Sequence, residues 1–71
     1  MTSTELIGRK VVLFRSGREI IATIERLDST YPATCYTVTW KKADNPREEI
    51  PADCGGMYSI AHYTEVRSVL S

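Results

Sequence analysis

The stretch Cys35-Tyr36-Thr37-Val38-Thr39-Trp40-Lys41 constrains this chain more than any other. Tyr36, Val38 and Trp40 alternate with Cys35, Thr37 and Thr39, and β-branched and aromatic residues dominate both rows. Successive side chains of an extended strand point to opposite faces, so a period of two sets one row against a core. No window of the sequence carries a helical apolar stripe of useful length. The fold class is therefore all-β.

Other segments read the same way. Lys10-Val11-Val12-Leu13-Phe14-Arg15 is a short run of strand formers closed by the turn signal Ser16-Gly17. From Glu19 to Leu27, Ile20, Ala22 and Ile24 share one face and Ile21, Thr23 and Glu25 the other. The period then slips, because Leu27 rather than Arg26 is apolar. A β-bulge near Glu25–Arg26 accounts for the slip and supplies the bend that a small barrel needs. Asp28-Ser29-Thr30-Tyr31-Pro32 reads as a loop, since Pro32 lacks the donor that a central strand requires. Lys42–Pro46 reads as a turn and Arg47–Pro51 as a short strand. Asp53-Cys54-Gly55-Gly56 breaks the chain again. Met57–Tyr63 reads as a strand followed by a short turn, and Glu65–Leu70 as a closing strand. The residues expected inside are Val12, Phe14, Ile20, Ala22, Ile24, Tyr36, Val38, Trp40, Ile50 and Val69. The architecture expected is a single domain over residues 1–71, a small and strongly bent five-stranded barrel.

At 71 residues such a domain buries only about 60% of the surface of its unfolded chain, which makes association into a homo-oligomer a natural way to gain stability. Nine basic and nine acidic residues cancel. Their distribution is uneven: residues 1–18 hold Arg9, Lys10, Arg15 and Arg18 against Glu5 alone, while residues 43–65 hold Asp44, Glu48, Glu49, Asp53 and Glu65 against Arg47. Such a dipole would either orient a charged partner or stack subunits head to tail, or else be two ordinary solvated faces. Arg15 and Arg18 flank the turn at Ser16-Gly17, where solvated side chains are expected. The first ten residues hold no apolar signal region, and no run approaches the length of a membrane span, so a cytoplasmic protein without membrane contact is expected. Cys35 and Cys54 are too few for a disulfide framework and read as small hydrophobes.

Residues 5–28, from Glu5-Leu6-Ile7-Gly8-Arg9-Lys10-Val11-Val12-Leu13 through Gly17-Arg18-Glu19-Ile20-Ile21-Ala22-Thr23-Ile24 to Leu27-Asp28, resemble the first motif of Sm-like proteins. The same spacing suits other small barrels, the Src-homology type among them. The resemblance implies a bent five-stranded barrel that assembles into rings and, in many members, binds RNA. Where that family continues from the aspartate to Met-Asn, this chain has Tyr31 and Pro32. Proline offers neither amide nor backbone donor for a base, so only Asp28 and, as a stacking surface, Tyr31 carry over.

Catalysis or a zinc site would have to draw on Cys35, Cys54 and His62, which lack the short paired spacings that mark such sites. No enzyme activity, metal or cofactor is expected. The binding residues expected are Arg15, Arg18, Tyr31, Lys41, Lys42, Tyr58 and Tyr63, tyrosines and cations that suit either a protein or a nucleic-acid surface. Two functions fit. One is a protein-interaction module, an accessory, regulatory or phage-type inhibitory protein whose partner is another protein. The other is an RNA-binding barrel of Sm-like type.

Overall fold

The computed structural model describes residues 1–48 and 56–70. Five strands form one antiparallel sheet: β1 (Lys10–Arg15), β2 (Arg18–Leu27), β3 (Cys35–Trp40), β4 (Met57–His62) and β5 (Val66–Val69), in the order β4-β3-β2-β1-β5. Short 3-10 turns cover Thr4–Leu6 and Tyr63–Glu65, and no α-helix occurs among the described residues. Among the described residues backbone hydrogen bonds do not close the sheet, so β4 and β5 are its edges there.

β1 and β2 meet in a two-residue hairpin whose central residues, Ser16 at φ 53° and Gly17 at φ 75°, both take the positive values of a type I′ turn. The bulge expected near Glu25–Arg26 is present, since the β2–β3 register slips between Ile24 and Arg26. It returns Leu27 to the core side, opposite Tyr36. The segment 57–63 resolves as expected into a strand and then a single 3-10 turn.

The core consists of Val11, Leu13, Ala22, Ile24, Tyr36, Val38 and Ala61, with Leu6, Leu27, Trp40 and Val66 packed around it. Tyr36 is buried because its hydroxyl has a partner, accepting from the Ser3 amide at 2.7 Å. Ile20, Ala22, Ile24, Tyr36 and Val38 lie inside as the alternation requires.

β1 has the opposite phase from the one expected. Leu13 stands opposite Ile20 and Val11 opposite Ala22, so Val11 and Leu13 face the core and Phe14 is 41% exposed beneath Arg67. Val12 points outward with Ile21 yet is buried, because the 41–48 turn folds over that face. Asn45 fastens the turn: its Oδ1 accepts from the Ile21 amide at 2.8 Å, and its Nδ2 donates to the carbonyls of Ile21 at 2.9 Å and Lys41 at 3.1 Å. The Asn45 carboxamide thus satisfies β2 where the β3 ladder has run out.

Three further expectations are corrected. Val69 is exposed, because a register shift in the β1–β5 pairing leaves Val66 to pack on the core. Trp40 is only half-buried, with the Arg15 guanidinium 5.5 Å above its ring. Arg47 and Glu48 lie in a turn rather than a strand, and the rest of that expected strand, Ile50 included, falls outside the described residues. Cys35 is half-buried beside the Thr34 hydroxyl, and Cys54 also lies outside the described residues.

Candidate interaction surface

The two charge clusters of the sequence pair with each other. Lys10 meets Asp44 at 3.2 Å, Arg15 meets Glu65 at 2.8 Å and Arg18 meets Glu48 at 3.2 Å. Three of the four N-terminal cations are thereby paired with acids of the other cluster. Lys10–Asp44 and Arg18–Glu48 involve well-exposed cations and add little stability.

Arg15 is different. It was expected to be solvated at the turn, but its side chain is only 27% exposed and is held by four hydrogen bonds. Nε donates to Glu65 Oε2 at 2.8 Å, Nη1 to Ser59 Oγ at 3.1 Å, and Nη2 to the Ile60 carbonyl at 2.7 Å and Glu65 Oε1 at 3.3 Å. Glu65 also accepts from the His62 amide at 2.9 Å as part of a capping box on the second 3-10 turn. The Arg15 hydrogen bond holds its carboxyl below the usual glutamate range, outweighing the opposing effect of burial, and the His62 amide adds to it.

Of the remaining expected residues, Lys42 donates from Nζ to the Glu48 carbonyl, while Lys41 is exposed. Tyr31 sits at the tip of the β2–β3 loop and is 62% exposed. The buried Asp28 carboxylate shapes that loop by accepting from the amides of Thr30 at 3.0 Å and Tyr31 at 2.7 Å. Tyr63 stacks tilted on His62 with ring centroids 4.7 Å apart, and its amide donates to Thr34 at the end of the same loop. Tyr31 and Tyr63 therefore belong to one end of the sheet. Tyr58, opposite Thr39, belongs to the other end together with Lys41.

Ile60 and Arg26 were not singled out in the sequence. Tyr58 and Ile60 alternate along β4 with Ser59 and Ala61, and here the large residues point outward and the small ones inward. Tyr58 is 68% and Ile60 56% exposed. Cross-strand pairing sets Tyr58 beside Thr39 and Thr23, and Ile60 beside Thr37 and Arg26. The outer face of β2–β3–β4 thus carries two large side chains over threonines, with the buried Thr39 hydroxyl donating to the Glu25 carboxylate at 3.0 Å and a cation, Arg26, at one margin. By alternation from Thr39, Lys41 stands at the other. The inverted alternation of Met57–His62 was the signal for this surface.

A cleft of about 610 Å³ beside the 44–48 turn is lined by Val12 and Ile21 and by charges of both signs, including Arg18, Arg47, Glu19 and Glu48, so it concentrates no single field. Cys35 and His62 are cross-strand neighbours, but His62 Nδ1 is engaged with Thr64 Oγ1 at 2.7 Å. Among the described residues no group of three or more His, Cys, Asp or Glu is placed to hold a metal ion, and no helix is long and apolar enough to cross a membrane. Comparison of the chain with protein-family models, with curated proteins and with solved structures finds no match in any of the three.

Proposed function

We propose that this chain is a non-catalytic protein-interaction module, a small barrel of Src-homology type acting as an accessory or regulatory protein. Its docking surface is the outer face of β2–β3–β4. The observation that carries the reading is the exposure of Tyr58 and Ile60 side by side over a threonine floor. Large apolar side chains grouped on a surface and rimmed by polar residues suit a protein partner. Arg26 and Lys41 stand at the margins and the Glu25 carboxylate between them, so the rim carries both signs and the partner's anchors are apolar. The barrel reading is supported by the bulge in β2 and by Arg15, whose side chain spans from β1 to the free edge of β4.

The RNA-binding alternative is less favoured, because three of the four N-terminal cations, Lys10, Arg15 and Arg18, are each paired with an acid. The deciding experiment compares the wild-type protein with a Tyr58→Ser/Ile60→Ser variant in capture from host lysate and in titration with uridine-rich RNA over a range of salt. A specific protein captured only by wild type, with negligible RNA affinity, supports the reading. Micromolar RNA binding overturns it, provided that the log-affinity slope against log salt falls by about two units in Arg26→Ala/Lys41→Ala.

A further inference from the structure

Among the described residues β4 is an edge strand, and its own sequence lacks the usual protection against pairing with another strand. Met57–His62 contains no Lys, Arg, Asp, Glu or Pro. Exposed edges are ordinarily guarded by such residues, by bulges or by a covering segment. The protection here comes from elsewhere in the chain. Ile60 and His62 lie two apart on β4 and direct their backbone groups away from β3. The Ile60 carbonyl is taken by Arg15 of β1, and the His62 amide by Glu65 of the second 3-10 turn. Arg15 and Glu65 are bonded to each other, and each side chain is only about a quarter exposed.

We infer that Arg15 and Glu65 form a latch that keeps β4 from pairing with β4 of a second copy. The occupant follows from the strand itself. An antiparallel β4–β4 pairing centred on Ile60 places Ile60 against Ile60 and Tyr58 against His62, with no charged side chain to repel. Such apolar and aromatic cross-strand pairs are favourable, and the same patch on both copies gives a closed two-fold dimer. With the latch in place, the carbonyl and amide needed for that ladder are already occupied. The inference rests on the edge hydrogen bonds of β4 and not on the docking face, and its readout is oligomeric state rather than partner capture.

The test measures mass by sedimentation equilibrium for wild type, Arg15→Ala and Glu65→Ala, with circular dichroism to confirm folding. Wild type is expected to be monomeric. Arg15→Ala, which frees the Ile60 carbonyl at the two-fold axis, is expected to dimerise, self-association tightening by about tenfold. Glu65→Ala leaves that carbonyl bonded to Arg15 and is expected to stay monomeric. Adding Ile60→Lys to Arg15→Ala, which sets like charges face to face at the two-fold axis, is expected to return it to monomer. Arg15→Met keeps the aliphatic stem and frees the same carbonyl, so it serves if Arg15→Ala fails to fold. A folded Arg15 variant that stays monomeric overturns the inference. So does a dimer indifferent to Ile60→Lys, or a wild-type protein that already dimerises through β4.

Discussion

Asn45 offers the most discriminating test of the packing. Its carboxamide is 7% exposed and makes three hydrogen bonds, one accepted from the Ile21 amide and two donated to the Ile21 and Lys41 carbonyls. Asn45→Ala removes all three and leaves two part-buried backbone groups of Ile21 without partners. At about 1 kcal/mol net per bond, the expected loss is about 2–3 kcal/mol. A domain of this size has about 4–10 kcal/mol in total, so the midpoint of urea unfolding, followed by Trp40 fluorescence, should fall by about 2 M. Asn45→Asp preserves shape and is expected to be worse at neutral pH. One oxygen still accepts from Ile21, but the other replaces the donor that faced two carbonyls at 2.9 and 3.1 Å. That repulsion raises the folded pKa of the introduced carboxyl above its unfolded value of about 3.9. Its penalty is therefore full well above the folded pKa and shrinks as pH falls through it, when the carboxyl gains a proton and donates to one carbonyl. An Asp variant as stable as wild type at pH 7, or an Ala variant within about 0.5 kcal/mol of wild type, would refute the assigned role.

Other outcomes follow from burial and charge. Leu13→Ala should cost about 2–5 kcal/mol in chemical unfolding and Phe14→Ala clearly less, whereas the reverse ranking would invalidate the phase assigned to β1. Ile24→Ala should fall in the same range as Leu13→Ala, and a value indistinguishable from wild type would mean that β2 faces the other way. Because Arg15 and the His62 amide lower the folded pKa of Glu65, its contribution is complete above about pH 4.3, the unfolded value, and is lost as pH falls through the folded one. Glu65→Gln should accordingly flatten the acid side of a stability-versus-pH curve, and an unchanged slope there would contradict the pairing. Far-ultraviolet circular dichroism should be dominated by β-structure, and a spectrum with more than about a quarter helix would be incompatible with the fold.

What the sequence reveals depends on whether a segment contains its own contrast. In β2, Ala22 and Ile24 alternate with the polar Thr23 and Glu25, so both its inner face and the bulge at Glu25 are readable from one phase slip. β1 has four consecutive apolar residues, Val11 to Phe14, and no polar one among them marks the outside. Its phase is set by pairing, with Leu13 opposite Ile20, and local pattern does not contain that information. Val12 is buried for a reason further still from its neighbours, the Asn45 turn folded over it. At the candidate surface, Tyr58 stood out by residue type. Ile60 did not, because an isoleucine in a strand ordinarily reads as core. Arg15 looked like a solvated turn residue because its acid, Glu65, lies 50 residues away. The opposite signs of the two charge clusters were visible in the sequence, but their mutual neutralisation required the fold to bring them together.

The tip of the β1–β2 hairpin has a consequence for the order in which the chain assembles. Arg15 and Arg18 are directly opposite one another across the turn, a like-charge pair that opposes closure of a hairpin otherwise local and quick to form. Among the described residues relief comes from Glu48 and Glu65, which lie 30 and 50 residues downstream of their respective partners. The most local hairpin of the chain thus carries a like-charge pair whose acids lie far downstream. Arg15→Ala removes both the repulsion at the tip and the late bonds to Glu65, so it should speed unfolding without slowing folding. Slower folding would show that the Arg15 contacts are already made in the transition state.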